Sequence, residues 1–397
     1  MSDNNRREFL KKSGLLALPL FLPTNQLEAA SRLSQHNLGE SDLFPVSFLY
    51  DGLDLSPSYY IAKLNEINES NPIEEGFYLN GGITNQLEKE FAKITGKEKA
   101  IFVPTGTLAN QLAIKILSGE NSKVIVPENS HIFRDEADAA QSVNDKRLIP
   151  VGRGKDYYDL NDLKAEINYL DKNEAFKSGL YTVAVENPVR RADERAIPIE
   201  TIKSISEYCR HNGYRLHLDG AHIHIASAFT GVSVAEYASY FDTVYISLYK
   251  YLNGCFGAML CGEGKVIDKV PHLIKIYGGT ILQAWPSTAV AYHYLNGIEE
   301  RLQQTIQTSK KLIAELNKIE GVNISSINGG TNIFYLKLDE KLDYDAFRNF
   351  LREEYSILLR PISEDKIVKF VINESVLTRN SQEIVNAWKI GVKKFKF

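Results

Sequence analysis

Lys250 sits in SLYKYLNG between the apolar runs TVYIS and GAMLCG, and Asp219 closes the apolar run YRLHLD. Desolvating either charge is costly unless it finds a partner. A lysine desolvated among apolar residues has a depressed pKa and becomes a nucleophilic amine suited to Schiff-base chemistry. A solvated loop lysine is the plain alternative. Asp219 could pair with a buried arginine, or it could hold a proton on a pyridine nitrogen and keep that ring electron-accepting. The third feature is VPTGTLAN (103–110), an apolar run ended by Pro104, with Thr105-Gly106-Thr107 opening a helical pattern. A helix start offers unpaired N–H groups and a positive dipole end, and glycine lets a phosphate approach the backbone. Thr107 acting only as a helix cap is the alternative there. Ser247, at the end of TVYIS, could add a hydroxyl to a phosphate.

Phosphate cradle, acid and lysine follow one another along the chain, each at the end of a predicted strand. Together they match the three handles of pyridoxal 5′-phosphate: phosphate, ring nitrogen and aldehyde. Ligands of open α/β sheets gather at these carboxyl ends.

The elements that position the three features are legible as an alternation. KAIFV, KVIVP, RLIPVG, YTVAVE, YRLHLD, TVYIS and GAMLCG read as strands. Helical spacing lies between most of them, as in TNQLEKEFAKITG (Leu87, Phe91, Ile94), in GTLANQLAIKILSG (Leu108, Leu112, Ile116), and at 158–172 and 199–212. This predicts an α/β fold with a mostly parallel seven-stranded sheet between helices. After Trp285 the texture changes to a long helical stretch (286–320), strands at 331–338 and 366–373, and helices at 343–355 and 382–394. That predicts a small C-terminal α+β domain. The expected divisions are 1–30, 31–75 (an arm), 76–300 (the large domain) and 301–397 (the small domain).

GKEKAIFVPTGTLANQLAI, SHIFRDEADAA, VENPVRRADERAIPIE, HLDGAHIHIA and SLYKYLNG resemble the threonine aldolase/β-eliminating lyase family of fold-type-I pyridoxal phosphate enzymes. The resemblance covers residues 76–300 and weakens beyond. It implies that His131 stacks on the cofactor ring and is a candidate base. It implies that Gly106 and Thr107 hold the phosphate, Asp219 the ring nitrogen and Lys250 the aldehyde, with Glu186 and Asn187 near the site. His222 stands where the family has the arginine of DGAR and would bond the ring oxygen as a shorter, titratable group. FYLNGG, TILQAW and VKFVIN also depart from the family pattern. A substrate carboxylate needs a cation, and Arg360 and Lys369 are the candidates, with surface charge as the alternative for both. The implied reaction is cleavage of a β-hydroxy amino acid at Cα–Cβ, threonine-aldolase-like, to glycine and an aldehyde. The alternative is β-elimination from a β-substituted amino acid. A homodimer or homotetramer is implied, with the aromatic-rich SFLYDGLDLSPSYY packing across subunits.

The 397 residues carry a net charge of −4 with signs interspersed, and no basic cluster follows residue 12. This argues against nucleic acid as a partner. Cys209, Cys255 and Cys261 suit no zinc or disulfide spacing and read as buried small hydrophobes. His217 and His224 flank Asp219 without ligand spacing, so no metal is expected. At the start, Arg6-Arg7 precedes Phe9-Leu10-Lys11, a short apolar run and Ala29-Ala30. The run is too short for a membrane span and resembles a twin-arginine signal, implying export to the periplasm. Without such a signal the protein is expected in the cytoplasm.

Overall fold

The structure, a computed structural model, describes residues 44–53 and 55–397. The twin-arginine segment and residues 31–43 therefore lie outside the described residues. The first strand, β1 (Val46–Ser47), belongs to the C-terminal part. Seven others form one sheet: β2 (Lys99–Val103), β3 (Lys123–Pro127), β4 (Arg147–Val151), β5 (Leu180–Glu186), β6 (Arg215–Asp219), β7 (Thr243–Ser247) and β8 (Ala258–Gly262). All seven fall on the runs expected from the sequence. Their order is β2-β8-β7-β6-β5-β3-β4, and β8 alone is antiparallel to its neighbours. The chain between Ser247 and Ala258 is too short for a crossover helix, so β8 has to return beside β7. β3 and β7 are buried at every residue, as strands covered on both faces must be.

The register places the chemistry. Glu186 pairs with Asp219, and Asp219 with Tyr245. Laterally matched residues of parallel strands point to one face, so these three side chains share the carboxyl edge of the sheet. The helix Gly106–Ser118 crosses β5–β8 on that face and also meets the short helix Ala139–Asn144. Covered on two sides, it buries Ala109, Asn110, Ala113, Ile114 and Leu117 as well as Leu112. Leu108 and Ile116, read from spacing as part of its inner face, are only half-buried.

The stretch 286–320 is two helices, Trp285–Leu295 and Ile298–Leu316. They part at Gly297, whose φ of 67° is left-handed, a conformation glycine adopts without steric cost. Leu302 of the second helix packs with the large core, whereas Leu312, Ile313 and Leu316 pack with a second core. That second core lies between helices Tyr344–Tyr355 and Ser381–Phe395 and the antiparallel sheet of β9 (Val322–Ser326), β10 (Ile333–Leu338) and β12 (Val368–Val371). β9 is absent from the sequence reading, because only Val322 and Ile324 of its five residues turn inward. β1 pairs in parallel with β11 (Ile357–Leu358), and Phe48 stacks on Phe370 at 4.0 Å. Phe48, expected in an inter-subunit arm, thus lies in the core of its own chain. Cys209 and Cys261 are buried as expected, but Cys255 is exposed, because it stands in the β7–β8 connection rather than in a strand. No described helix is long and apolar enough to cross a membrane.

The histidines flanking Asp219 differ. His217 is satisfied at both nitrogens, by Thr243 Oγ1 (2.8 Å) and Asn110 Oδ1 (2.9 Å). His224 sets its ring edge-on to Phe91, and its Nε2 is buried without a partner. Burial lowers His224 to about 4 from the usual imidazole value. Between roughly pH 6.5 and 4 the unfolded chain therefore binds the extra proton, and stability falls as pH falls through that window. His224→Leu should be more stable than the native chain, by a margin that widens from about pH 7 to about pH 4.5. Urea midpoints across that range test this, and a margin independent of pH would show that His224 is not the group responsible.

Candidate active site

His131, Glu186, Asp219, His222 and Lys250 line one cleft, although up to 119 residues separate the first from the last (131 to 250). Asp219 is 2% exposed. Its Oδ2 accepts from Asn110 Nδ2 at 2.9 Å and its Oδ1 from the Ala221 N–H at 3.2 Å. The buried-arginine alternative is thus replaced by an amide and a backbone donor.

Asn110 is the side chain that ties the pocket together. Its second Nδ2 hydrogen goes to Glu136 Oε1 at 2.7 Å, and its Oδ1 accepts from His217 Nε2. This assigns the proton of His217 to Nε2 and leaves Nδ1 to accept from Thr243. Burial, lowering His217 to about 4, keeps it in that neutral form. Glu136 Oε1 also receives His131 Nδ1 at 3.0 Å. That hydrogen bond is the main cause of the raised pKa of His131.

Glu186, expected near the site, lines the cleft and acts on backbone donors. Its Oε2 accepts from the His131 N–H at 2.5 Å and its Oε1 from the Arg190 N–H at 2.9 Å. Both oxygens are used in fixing backbone, so Glu186 positions His131 and Arg190. Burial, reinforced by the negative charge of Asp219, pushes Glu186 up to about 7.

Lys250 stands in the connection between β7 and β8, which is closed by Leu248 N–H to Gly257 O (3.1 Å) and Gly254 N–H to Leu248 O (2.8 Å). Burial lowers its pKa, outweighing the opposing pull of Asp51, Glu194 and Asp219. Its amine rests against His222 Nε2. His222 Nδ1 faces Glu194 Oε1 at 3.4 Å, Tyr251 OH at 3.5 Å and Asp51 Oδ2 at 3.7 Å. Burial, with the Lys250 charge beside it, drives His222 well below the usual imidazole range. It is therefore neutral at ordinary pH rather than a titrating group.

At the helix start the cap is Thr105, whose Oγ1 accepts from the Leu108 N–H at 3.1 Å. Thr107 is released from the capping role. A Cβ on Gly106 would run into the Tyr245 hydroxyl, so glycine is required there by this close approach as well. Ser247, 2% exposed, has its Oγ buried without a partner. Arg360 and Lys369 line no part of the cleft. Both Nε and Nη2 of Arg360 donate to Leu49 O, and Lys369 pairs with Asp193. Arg360 nevertheless lies close enough for its charge to act on Asp51, which faces His222.

Sequence reasoning missed Asn110, Glu136, Asp51, Glu194 and Arg190. Only Asn110 left a signal, as a polar residue inside the apolar helix pattern of GTLANQLAI.

The residues present suit pyridoxal 5′-phosphate. An amine of depressed pKa and a carboxylate held by an amide open on one cleft, and Ser247 at the end of β7 has an orphaned hydroxyl. The fold is that of the fold-type-I pyridoxal phosphate enzymes. It superposes on serine palmitoyltransferase from S. paucimobilis, solved with that cofactor bound, with a TM-score of 0.61 at 15% identity, over 88% of this chain and 87% of the other. A protein from Exiguobacterium sp. 255-15 described as an aromatic amino acid β-eliminating lyase/threonine aldolase superposes with a TM-score of 0.70 at 25% identity. That match covers 84% of this chain and 94% of the other. The low-specificity L-threonine aldolase of Candida albicans is 30% identical over 298 residues, spanning 72% of this chain and 79% of the aldolase. The family model described as beta-eliminating lyase matches residues 73–339. The chain belongs to the β-eliminating lyase family and is a lyase.

The amide of Asn110 allows a direct test. Asn110→Leu keeps the approximate volume but orphans Asp219 Oδ2 and the Nε2 proton of His217. A loss on the order of 1–3 kcal/mol per orphaned group is expected, together with weaker cofactor retention. Guanidinium unfolding of the cofactor-free protein measures the first and dialysis of the loaded protein the second. A variant as stable as the native chain would remove Asn110 from the centre of the pocket.

Proposed function

We propose that this lyase uses pyridoxal 5′-phosphate to cleave the Cα–Cβ bond of a β-hydroxy amino acid such as threonine or its allo isomer, giving glycine and an aldehyde. The observation that carries the reading is the convergence of Lys250, Asp219 and His131 on one cleft. Lys250 would hold the aldehyde covalently, Asp219 the ring nitrogen and His131 the ring face. The start of helix Gly106–Ser118, with Thr107 and Ser247, would take the phosphate. Bound there, the cofactor supplies an electron sink for the bond broken at Cα.

The chain's own residues do the rest. Asn110 orients Asp219 so that its carboxylate keeps a proton on the ring nitrogen. Glu136 holds His131 through Nδ1, leaving Nε2 to take the hydroxyl proton of the substrate, directly or through a water. Glu186 holds the His131 backbone in place for that transfer. His222, neutral, presents Nε2 as an acceptor to the Lys250 amine and fixes its position in the cleft. The names of the relatives support aldol cleavage, and the family description supports β-elimination as the second reading. The two would differ in which bond at Cα the pocket presents for cleavage.

Loaded protein should be yellow, and borohydride reduction should fix the label on Lys250. Lys250→Ala should be colourless and inactive. Offered a panel of β-hydroxy and β-substituted amino acids, the protein should release glycine and aldehyde. Ammonia and a keto acid would establish elimination instead. No turnover at all, or a label on another lysine, would sink both readings.

We further propose a homodimer or homotetramer, and export through the twin-arginine-like segment. Changing Arg6 and Arg7 to lysine should leave the protein in the cytoplasm of its host. Unchanged delivery to the periplasm would exclude the export reading.

A further inference from the structure

Of the two cations expected for the substrate carboxylate, Lys369 is paired with Asp193, and Arg360 is held by Leu49 O with its charge reaching Asp51; neither lines the cleft. The segment Arg190–Arg195 supplies another. Arg191 is bound by Asp135 through Nε and Nη2, and Arg195 is paired with Asp156. Asp193 is taken by Lys369 and by the Tyr335 hydroxyl. The Arg190 guanidinium has no hydrogen bond or ion pair among the described residues. It is exposed, and it lines both the cofactor cleft and an adjoining cavity of about 410 Å³. Lys250 lines the same two spaces and stands where they meet.

Two further observations separate Arg190 from an ordinary surface arginine. Its backbone is fixed by Glu186, the same carboxylate that fixes His131, so base and cation share one anchor. Its charge also reaches Asp51, Glu194, His222 and Lys250. The acid groups of Asp51 and Glu194 gather at His222 Nδ1, next to the lysine that the amino group of a substrate must approach. An amino acid carries both charges, and this pocket offers acids beside the lysine and one uncommitted cation at its mouth.

We infer that Arg190 is the residue that receives the α-carboxylate of the amino acid substrate, and so sets which bond at Cα faces the cofactor. A guanidinium forks onto a carboxylate with two parallel hydrogen bonds, which fixes direction as well as affinity. The inference rests on the proposed cofactor chemistry but not on which bond is cleaved.

The test uses full-length protein loaded with pyridoxal 5′-phosphate and follows binding by the change in its visible absorbance, so that it does not depend on turnover. Threonine and glycine are compared with 1-amino-2-propanol, which keeps the amine and hydroxyl but lacks the carboxylate. Arg190→Gln should weaken threonine and glycine by about 10- to 100-fold and leave the amino alcohol within about 2-fold of its native affinity. Arg190→Lys should recover part of the loss, since it restores the charge without the fork. The inference is overturned if Arg190→Gln binds threonine like the native chain, if it weakens the amino alcohol equally, or if Arg360→Gln or Lys369→Gln produces the selective loss instead. Selective loss in a protein that cleaves no β-hydroxy amino acid would uphold Arg190 and defeat the aldolase reading. Cleavage that proceeds with native KM in Arg190→Gln would do the reverse.

Discussion

The pocket depends on one buried amide. Asn110 gives both Nδ2 hydrogens to carboxylates, Glu136 and Asp219, and takes the Nε2 proton of His217. No other neutral side chain of that size offers two donors and an acceptor in a fixed plane. Without the amide, two carboxylates would face one another with no hydrogen between them and the His217 N–H would lose its acceptor, in surroundings where unpaired polar groups are expensive. The strand pairing that lines up Glu186, Asp219 and Tyr245 brings acid groups close together, and the helix carrying Asn110 makes that arrangement tolerable.

Acid groups outnumber local cations in this cleft. Asp219 raises both Glu136 and Glu186, after burial itself. Asp51 and Glu194 are likewise raised, chiefly by burial. Such a site is held in tension by its own charge. A cationic ring beside Asp219 would relieve part of it, and an incoming ammonium another part. Catalytic groups of shifted pKa arise where burial and like charges meet, and this pocket has both. The depression of Lys250 has the same origin, because burial prevails over three neighbouring carboxyls.

Much of the fold is legible in the sequence. All seven strands of the main sheet coincide with short apolar runs, because strands buried on both faces cannot be polar in either phase of the pleat. The exceptions have local causes. β9 shows only two inward residues, and the break at Gly297 interrupts a helical pattern that continues on both sides of it. The site was partly legible too. Asp219, Ser247 and Lys250 stand at or just beyond strand ends, which is a property of position along the chain. Glu186 was placed near the site correctly, yet its work on the backbone of His131 and Arg190 depends on a fold around it that no spacing records.

The sequence by itself determined which segments become strands and helices, and which polar residues stand at their ends, since both follow from local periodicity and covalent order. Only the tertiary structure decided which charges are paired and which remain uncommitted. Lys369 is spent on Asp193 and Arg360 donates to Leu49 O, while Arg190, next to the paired Arg191, lines one cavity with Lys250. Pairing is a matter of a few ångströms between groups far apart along the chain, and those distances exist only after the elements have packed.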